Sequence, residues 1–277
     1  MPQTLNAIRQ LLHDHDLRPK RRHGQNFLHD AHKMNDLVDA AQIKANELIL
    51  EIGPGTGALS ERLLDRGARL VAVEIDHDLA PILERTVERP YGSMARVLFT
   101  DVLSSKHRID PQVIDALGGE PFKLVANLPY NVASPLLMNL LIDHPGMTAA
   151  VITIQREVAD RLMATEGNDS YGALSVVTRA MCVPRRISEL APTCFWPAPK
   201  VGSTTLHLAR RDPPLTDDAT ALSDTARRLF AQRRKQLRSI LGREVGLPDS
   251  FDPTARPEQL SVAQFIELSG LLDHDAP

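Results

Sequence analysis

The sequence predicts an α/β fold: a mainly parallel seven-stranded sheet flanked by helices, followed by a small C-terminal helical domain. Three observations carry this. Short apolar runs alternate with amphipathic stretches from Asn46 to His207. The first run ends in a glycine-rich loop, Gly53-Pro54-Gly55-Thr56-Gly57. Beyond Arg210-Arg211-Asp212-Pro213-Pro214 the pattern becomes helical throughout.

The strands are expected at 47–52, 69–74, 96–100, 122–126, 149–154, 185–190 and 203–208. Helical or loop crossovers separate the first five, the spacing that parallel strands need. Leu59 to Leu64 opens the helix after the glycine loop. The last two strands are joined by a connection holding Pro192, Pro197 and Pro199. It is too short and proline-rich for a crossover helix, so an antiparallel pair at one sheet edge is expected. Residues 210–218 read as a linker. After it, Leu229, Phe230, Leu237, Ile240 and Leu241 fall on one helical stripe, and Pro257 introduces a last helix over Glu258 to Leu268. The expected domains are therefore residues 1–210 and 211–277.

With 277 residues, 43% of them hydrophobic and 24% charged, the chain has an ordinary globular composition. No run approaches the roughly 18 apolar residues of a membrane span, and the polar start carries no signal-peptide core. Cytoplasm is the expected location. Cys182 and Cys194 are too far apart for a CxxC pair and lack histidine at ligand spacing, so they read as plain thiols and no metal is expected. No surplus apolar surface is evident, so a monomer is expected. The net charge of −3 hides two basic concentrations. One is Arg18, Lys20, Arg21, Arg22 and His23; the other is Arg227, Arg228, Arg233, Arg234, Lys235, Arg238 and Arg243. A charge run is ordinarily a solvated face and by itself says little about a partner.

Glycines in the first loop let the backbone turn sharply and approach a ligand closely. The string fits the loops that bind nicotinamide dinucleotides as well as those that bind S-adenosylmethionine. Glu74 ends the second strand, where a carboxylate can accept both hydroxyls of a ribose. Asp101 follows the third strand, placed to accept from an adenine amino group, though it also suits a turn or helix N-cap. Loop and acids at three successive strand ends form a stronger signal than any one alone. A dehydrogenase stays open at this point.

The fourth strand ends in Asn127-Leu128-Pro129-Tyr130. An exocyclic adenine amine is a poor nucleophile because its lone pair is delocalised into the ring. Two acceptors on its hydrogens favour the pyramidal nitrogen that attacks a methyl group: the Asn127 side-chain oxygen and a main-chain carbonyl, that of Leu128. Pro129 fixes φ and holds them in register. Tyr130 offers a face for a flipped-out base, worth roughly 1–3 kcal/mol. The rest is positioning in line with a sulfonium methyl, which needs no strong base. A dehydrogenase gives these four residues no work.

With these motifs in view, the sequence resembles the rRNA adenine N6-dimethyltransferase family over nearly its whole length, and the small-subunit branch within it. The resemblance rests on 18–28, 53–57, Glu74, Asp101, 127–130, 155–162, 171–176, 195–201 and 230–235. It implies a Rossmann-like class I methyltransferase fold with S-adenosylmethionine as methyl donor. It also implies dimethylation of two adjacent adenosines in the 3′-terminal hairpin of 16S rRNA within the immature 30S subunit, with a role in small-subunit biogenesis. Asn26 would contact the donor by hydrogen bond and Leu28 by main chain, and Gly53 and Gly55 would line its methionine part. Glu74, with Ile75 beside it, would take the ribose; Asp101 the adenine amine, with Val102 flanking the ring. Asn127 would serve donor and target, and Tyr130 and Phe195 would surround the target base. Arg21, Arg22, Arg233, Arg234 and Lys235 would meet RNA phosphates. Two positions depart from the family: Thr100 replaces a common glycine, and Trp196, which narrows the target pocket or packs outward, replaces a smaller residue. Two other readings share these motifs. One is the erythromycin-resistance type of 23S rRNA methylase, against which the 230–241 and 171–176 segments weigh. The other is an assembly factor whose methylation is incidental.

Overall fold

Runs rich in Leu, Ile and Val, apolar on both faces, form the centre of the sheet, where helices cover each side. A computed structural model describes residues 3–242 and 246–273. Its strands are β1 Phe27–Leu28, β2 Leu48–Ile52, β3 Arg69–Glu74, β4 Ala95–Phe99, β5 Leu103–Ser105, β6 Arg108–Ile109, β7 Phe122–Asn127, β8 Met147–Gln155, β9 Cys182–Leu190, β10 Phe195–Trp196 and β11 Ser203–Arg210. The helices are α1 Leu5–His13, α2 Ala31–Ala41, α3 Ala58–Asp65, α4 Ala80–Leu83, α5 Arg89–Tyr91, α6 Pro111–Leu117, α7 Ala133–Asp143, α8 Arg156–Met163, α9 Ala173–Met181, α10 Ala219–Phe230, α11 Leu237–Leu241 and α12 Val262–Asp273.

The seven-stranded sheet runs β4-β3-β2-β7-β8-β11-β9. β2 lies parallel to both β3 and β7, β3 to β4, and β7 to β8, while β11 is antiparallel to β8 from Ser203 opposite Gln155 to Ala209 opposite Ala149. β9 and β11 are neighbours at the edge, as their connection predicted. Strand order reverses between β2 and β7, the point where such sheets open a crevice at their C-terminal ends.

The chain divides into two compact units, Met1–Ala159 with Arg185–Ala209, and Asp160–Pro184 with Arg210–Pro277. Residues 160–184 fall in the second unit together with those from 210 on. Their amphipathic helix looks like any crossover helix of an α/β sheet, so its sequence does not reveal which unit it packs in.

In the first unit a core of Ile8, Leu37, Ile49, Leu63, Leu70, Ile82, Val125 and Val151 lies around the sheet. In the second, Tyr171, Phe230 and Phe265 form an aromatic cluster, the two phenylalanines stacked at 5.4 Å and Tyr171 edge-on to Phe230 at 5.7 Å. The last helix begins at Val262, after a 3₁₀ turn at Pro257–Gln259, later than Pro257 suggested. The cause is a reciprocal cap: Gln264 N donates to Ser261 Oγ at 3.3 Å and Ser261 N to Gln264 Oε1 at 3.0 Å. Among the described residues no helix is long and apolar enough to cross a membrane.

Candidate active site

A cavity opens at the C-terminal ends of β2, β3 and β7. Its wall includes Gly53, Gly55, Glu74, Ile75, Asp101, Val102 and Asn127 to Tyr130, closed over by Arg22 to Leu28 of the N-terminal segment. The predicted donor-site residues are thus brought together, with the four-residue motif beside them.

The glycine loop owes its shape to what packs against it. Gly55 has φ +60°, and a Cβ there would stand 2.9 Å from the Phe27 ring. Gly53 has φ +72°, and its Cβ would stand 3.1 Å from Pro129 Cγ. Only glycine allows both the left-handed backbone and this approach. Gly53 therefore seats the glycine loop directly on the 127–130 motif. Glu74 is 4% exposed. Its Oε2 accepts from Gly55 N at 3.1 Å and its Oε1 from Asp76 N at 2.9 Å. Burial raises its carboxyl above the ordinary value, and these backbone donors oppose the rise. A fixed carboxylate with lone pairs left over suits two vicinal hydroxyls.

Asp101 is exposed and accepts from Leu103 N at 3.0 Å, so the turn reading and the cavity reading both describe it. Thr100 donates from Oγ1 to Asp110 Oδ2 at 3.1 Å, which accommodates that departure from glycine.

The sequence reading passed over Glu51. It lines the same cavity, 1% exposed, and accepts from Ser60 Oγ at 2.6 Å. Burial, with a smaller contribution from Glu74, pushes its carboxyl up to about 8. A lone acid in the apolar run before the glycine loop was the available signal.

On the acceptor side, Asn127 Nδ2 donates to the Asn26 carbonyl at 3.0 Å, which leaves its Oδ1 across the amide plane. Leu128 N is held by Thr153 O at 3.0 Å, anchoring the motif to β8. The Tyr130 hydroxyl pairs with Ser203 Oγ on β11 at 2.9 Å. Burial raises the Tyr130 phenol, and the Ser203 contact works against that rise.

Phe195 and Trp196 both pair with the N-terminal segment. Phe195 is 2% exposed and sits in the core behind the cavity wall, opposite Leu28 in the short β1–β10 ladder. Phe195 is not among the residues that line the cavity. Trp196 packs on Phe27 at 6.3 Å with Arg9 over its ring at 5.2 Å.

The basic runs divide similarly. Arg21 and Arg22 are exposed, and Arg22 reaches the cavity mouth. Lys20 instead meets Asp76 at 2.5 Å and also Asp78. Arg234 and Lys235 are exposed. Arg233 is engaged: it donates to Glu258 Oε2 at 2.5 Å and to the Asp169 carbonyl at 2.7 Å, stapling two loops of the second unit. These contacts tie Arg233 into the second unit. A charge run cannot show which of its members tertiary contacts will take. Arg243 lies outside the described residues.

Comparison with known proteins supplies the family. The ribosomal RNA adenine dimethylase family matches residues 17–270. The ribosomal RNA small subunit methyltransferase A of Mycobacterium bovis is 40% identical over 280 residues, spanning 94% of this chain and 85% of that protein. That of Cutibacterium acnes is 40% identical, spanning 95% and 91%. Among solved structures, a dimethyladenosine transferase from Plasmodium falciparum aligns with TM-score 0.71 at 23% identity, covering 90% of this chain and 97% of that one. The 23S rRNA methyltransferase ErmE aligns with TM-score 0.62 at 24% identity, covering 90% and 100%. These two likenesses establish the fold, a Rossmann-like class I methyltransferase. With the family match and the 40% relatives, they lead to one conclusion: the chain belongs to the ribosomal RNA adenine dimethylase family.

Proposed function

We propose that this chain dimethylates the N6 amines of two adjacent adenosines in the 3′-terminal hairpin of 16S rRNA, within the immature 30S subunit. It acts as a cytoplasmic monomer, and a role in small-subunit biogenesis goes with that target. The small-subunit relatives support the choice of RNA; the 23S rRNA methyltransferase has the same fold, so the fold cannot decide it.

One observation carries the chemistry: the glycine loop and Glu74 share a cavity with Asn127 and Tyr130, and Gly53 packs on Pro129. S-adenosylmethionine supplies an electrophilic methyl group on a sulfonium sulfur. Glu74, held by Gly55 and Asp76, takes the ribose hydroxyls, Asp101 the adenine amine, and Asn26, Leu28, Gly53 and Gly55 the remainder. Ile75 and Val102 flank the adenine. Asn127 Oδ1 and the Leu128 carbonyl accept the hydrogens of the target amine, so its lone pair is released toward the methyl group. Pro129 holds the two acceptors in register, and Tyr130 stacks on the base. Positioning and acceptor geometry supply the rate, with no strong base required. Arg21, Arg22, Arg234 and Lys235 are left to meet phosphates.

Labelled S-adenosylmethionine and 30S particles lacking the modification test this. Label is expected in 16S rRNA as dimethyladenosine, and Asn127→Ala should lower kcat by about 10²–10³. Label confined to 23S rRNA, or no transfer, overturns the assignment.

A further inference from the structure

Lys20 belongs to the N-terminal basic run, yet its ammonium is spent inside the protein. Nζ meets Asp76 Oδ1 at 2.5 Å and also Asp78, while Lys20 N donates to Gln25 Oε1 at 2.8 Å. Gln25 Nε2 donates in turn to the other oxygen of Asp76 at 2.8 Å. Asp76 is 4% exposed, and neither it nor Lys20 lines the cavity. Its N–H is one of the two that fix Glu74, and the residue after Gln25 gives its carbonyl to Asn127. A chain of contacts therefore runs from Glu74 through Asp76 to Lys20 and Gln25, then through Asn26 to Asn127. The stretch between Lys20 and Asn26 is the part of the N-terminal segment that covers the cavity.

We propose that the Lys20–Asp76 ion pair is the clasp that seats the N-terminal segment over the cavity, making both of them positioning residues for methyl-donor binding. The proposal rests on the reading of Glu74 and its neighbours as the donor site. Its logic is preorganisation. A covering segment that had to order itself on each binding event would subtract that entropy from donor affinity, whereas a segment already fastened does not. The pair suits the task because the Asp76 carboxylate is shielded from solvent, where an ion pair is screened less than on an open surface. Burial alone would raise the Asp76 carboxyl, but Lys20 and Gln25 hold it below its ordinary value, so the pair stays charged at neutral pH.

The test uses the full chain with S-adenosylmethionine, measuring donor Kd by calorimetry, steady-state kinetics, RNA affinity and tryptic cleavage after Arg21 and Arg22. Lys20→Met should weaken donor binding about tenfold, equivalent to about 1.4 kcal/mol. The loss should appear in KM for the donor, with kcat falling less than about twofold. Cleavage after Arg21 and Arg22 should speed up and be suppressed again by saturating donor. Lys20→Arg should restore most of the affinity. Asp76→Asn, which keeps the shape and removes only the charge, should reproduce the loss even if Lys20→Met folds poorly. Glu74→Ala serves as control and should abolish donor binding. If it does, while the Lys20 and Asp76 variants bind donor normally, the clasp is refuted and the donor site stands. If Lys20→Met weakens RNA binding alone, Lys20 is a phosphate contact and the clasp is refuted. Donor binding that survives Glu74→Ala overturns the donor-site reading and the clasp with it.

Discussion

The two halves that the proposed function gives the cavity, one for the methyl donor and one for the target base, are held in place by different means. The donor half is fixed by main-chain shape and burial: two glycines with positive φ pressed against Phe27 and Pro129, and a carboxylate gripped by two backbone N–H groups. The acceptor half is half-buried, and its two working side chains are each secured by one bond to a distant segment, Asn127 to the Asn26 carbonyl and Tyr130 to Ser203. A small ligand of constant shape suits a rigid seat. A base delivered by a large RNA suits residues aimed by single, adjustable contacts.

If the contrast is right, the donor half should tolerate the least change. Gly55→Ala places a Cβ against the Phe27 ring in a backbone conformation that costs an L-residue about 1–2 kcal/mol by itself. Donor affinity is expected to fall about 100-fold, measured by calorimetry, with a lowered Tm. Normal donor binding by this variant would break the comparison.

Glu51 tests the burial of that half. In the folded chain its carboxyl is pushed up to about 8, against 4.5 when exposed. Between those values the folded state keeps a proton that the unfolded chain has lost. Stability contributed at low pH is therefore lost as pH rises through that window, by about 1.4 kcal/mol per pH unit at the steepest. Glu51→Gln keeps an acceptor for Ser60 and cannot ionise, so its urea midpoint should gain on the parent between pH 5 and pH 8. Parallel curves for the two proteins would show that the site is wetter than the structure indicates.

The smallest effect belongs to the acceptor half. Ser203→Ala frees the Tyr130 hydroxyl and should lower kcat about fivefold, roughly the worth of one neutral hydrogen bond, with donor KM unchanged. In a double-mutant cycle, Tyr130→Phe should add little to Ser203→Ala. Full additivity would mean that the hydroxyl pair does not aim the ring.

What the sequence made legible follows the same division. The glycine loop, Glu74, Asp101 and 127–130 each sit at the end of a strand, and a strand carries its own terminus with it wherever the sheet is built. Local spacing therefore sufficed. Phe195 depended on a two-residue ladder with β1, far away in sequence, and nothing in its own neighbourhood announces that partner. Lys20 and Arg233 looked like their neighbours Arg21 and Arg234, because a run of charge does not display the acids that tertiary folding brings to it. Ser203 was one more polar residue on an edge-side strand until β11 packed antiparallel to β8.

The β1–β10 ladder also has a consequence in time. Phe27 leaves the ribosome early in synthesis, but its partner Trp196 is made only after Glu74, Asp101 and Asn127 and the strands they end or follow. The earliest part of the cavity wall must wait longest for its final contact. A nascent chain stopped short of Phe195 has its glycine loop and its catalytic motif but lacks the ladder that pins the segment above them. The ladder that pins the N-terminal segment is thus completed late in translation, once most of the first unit has been made.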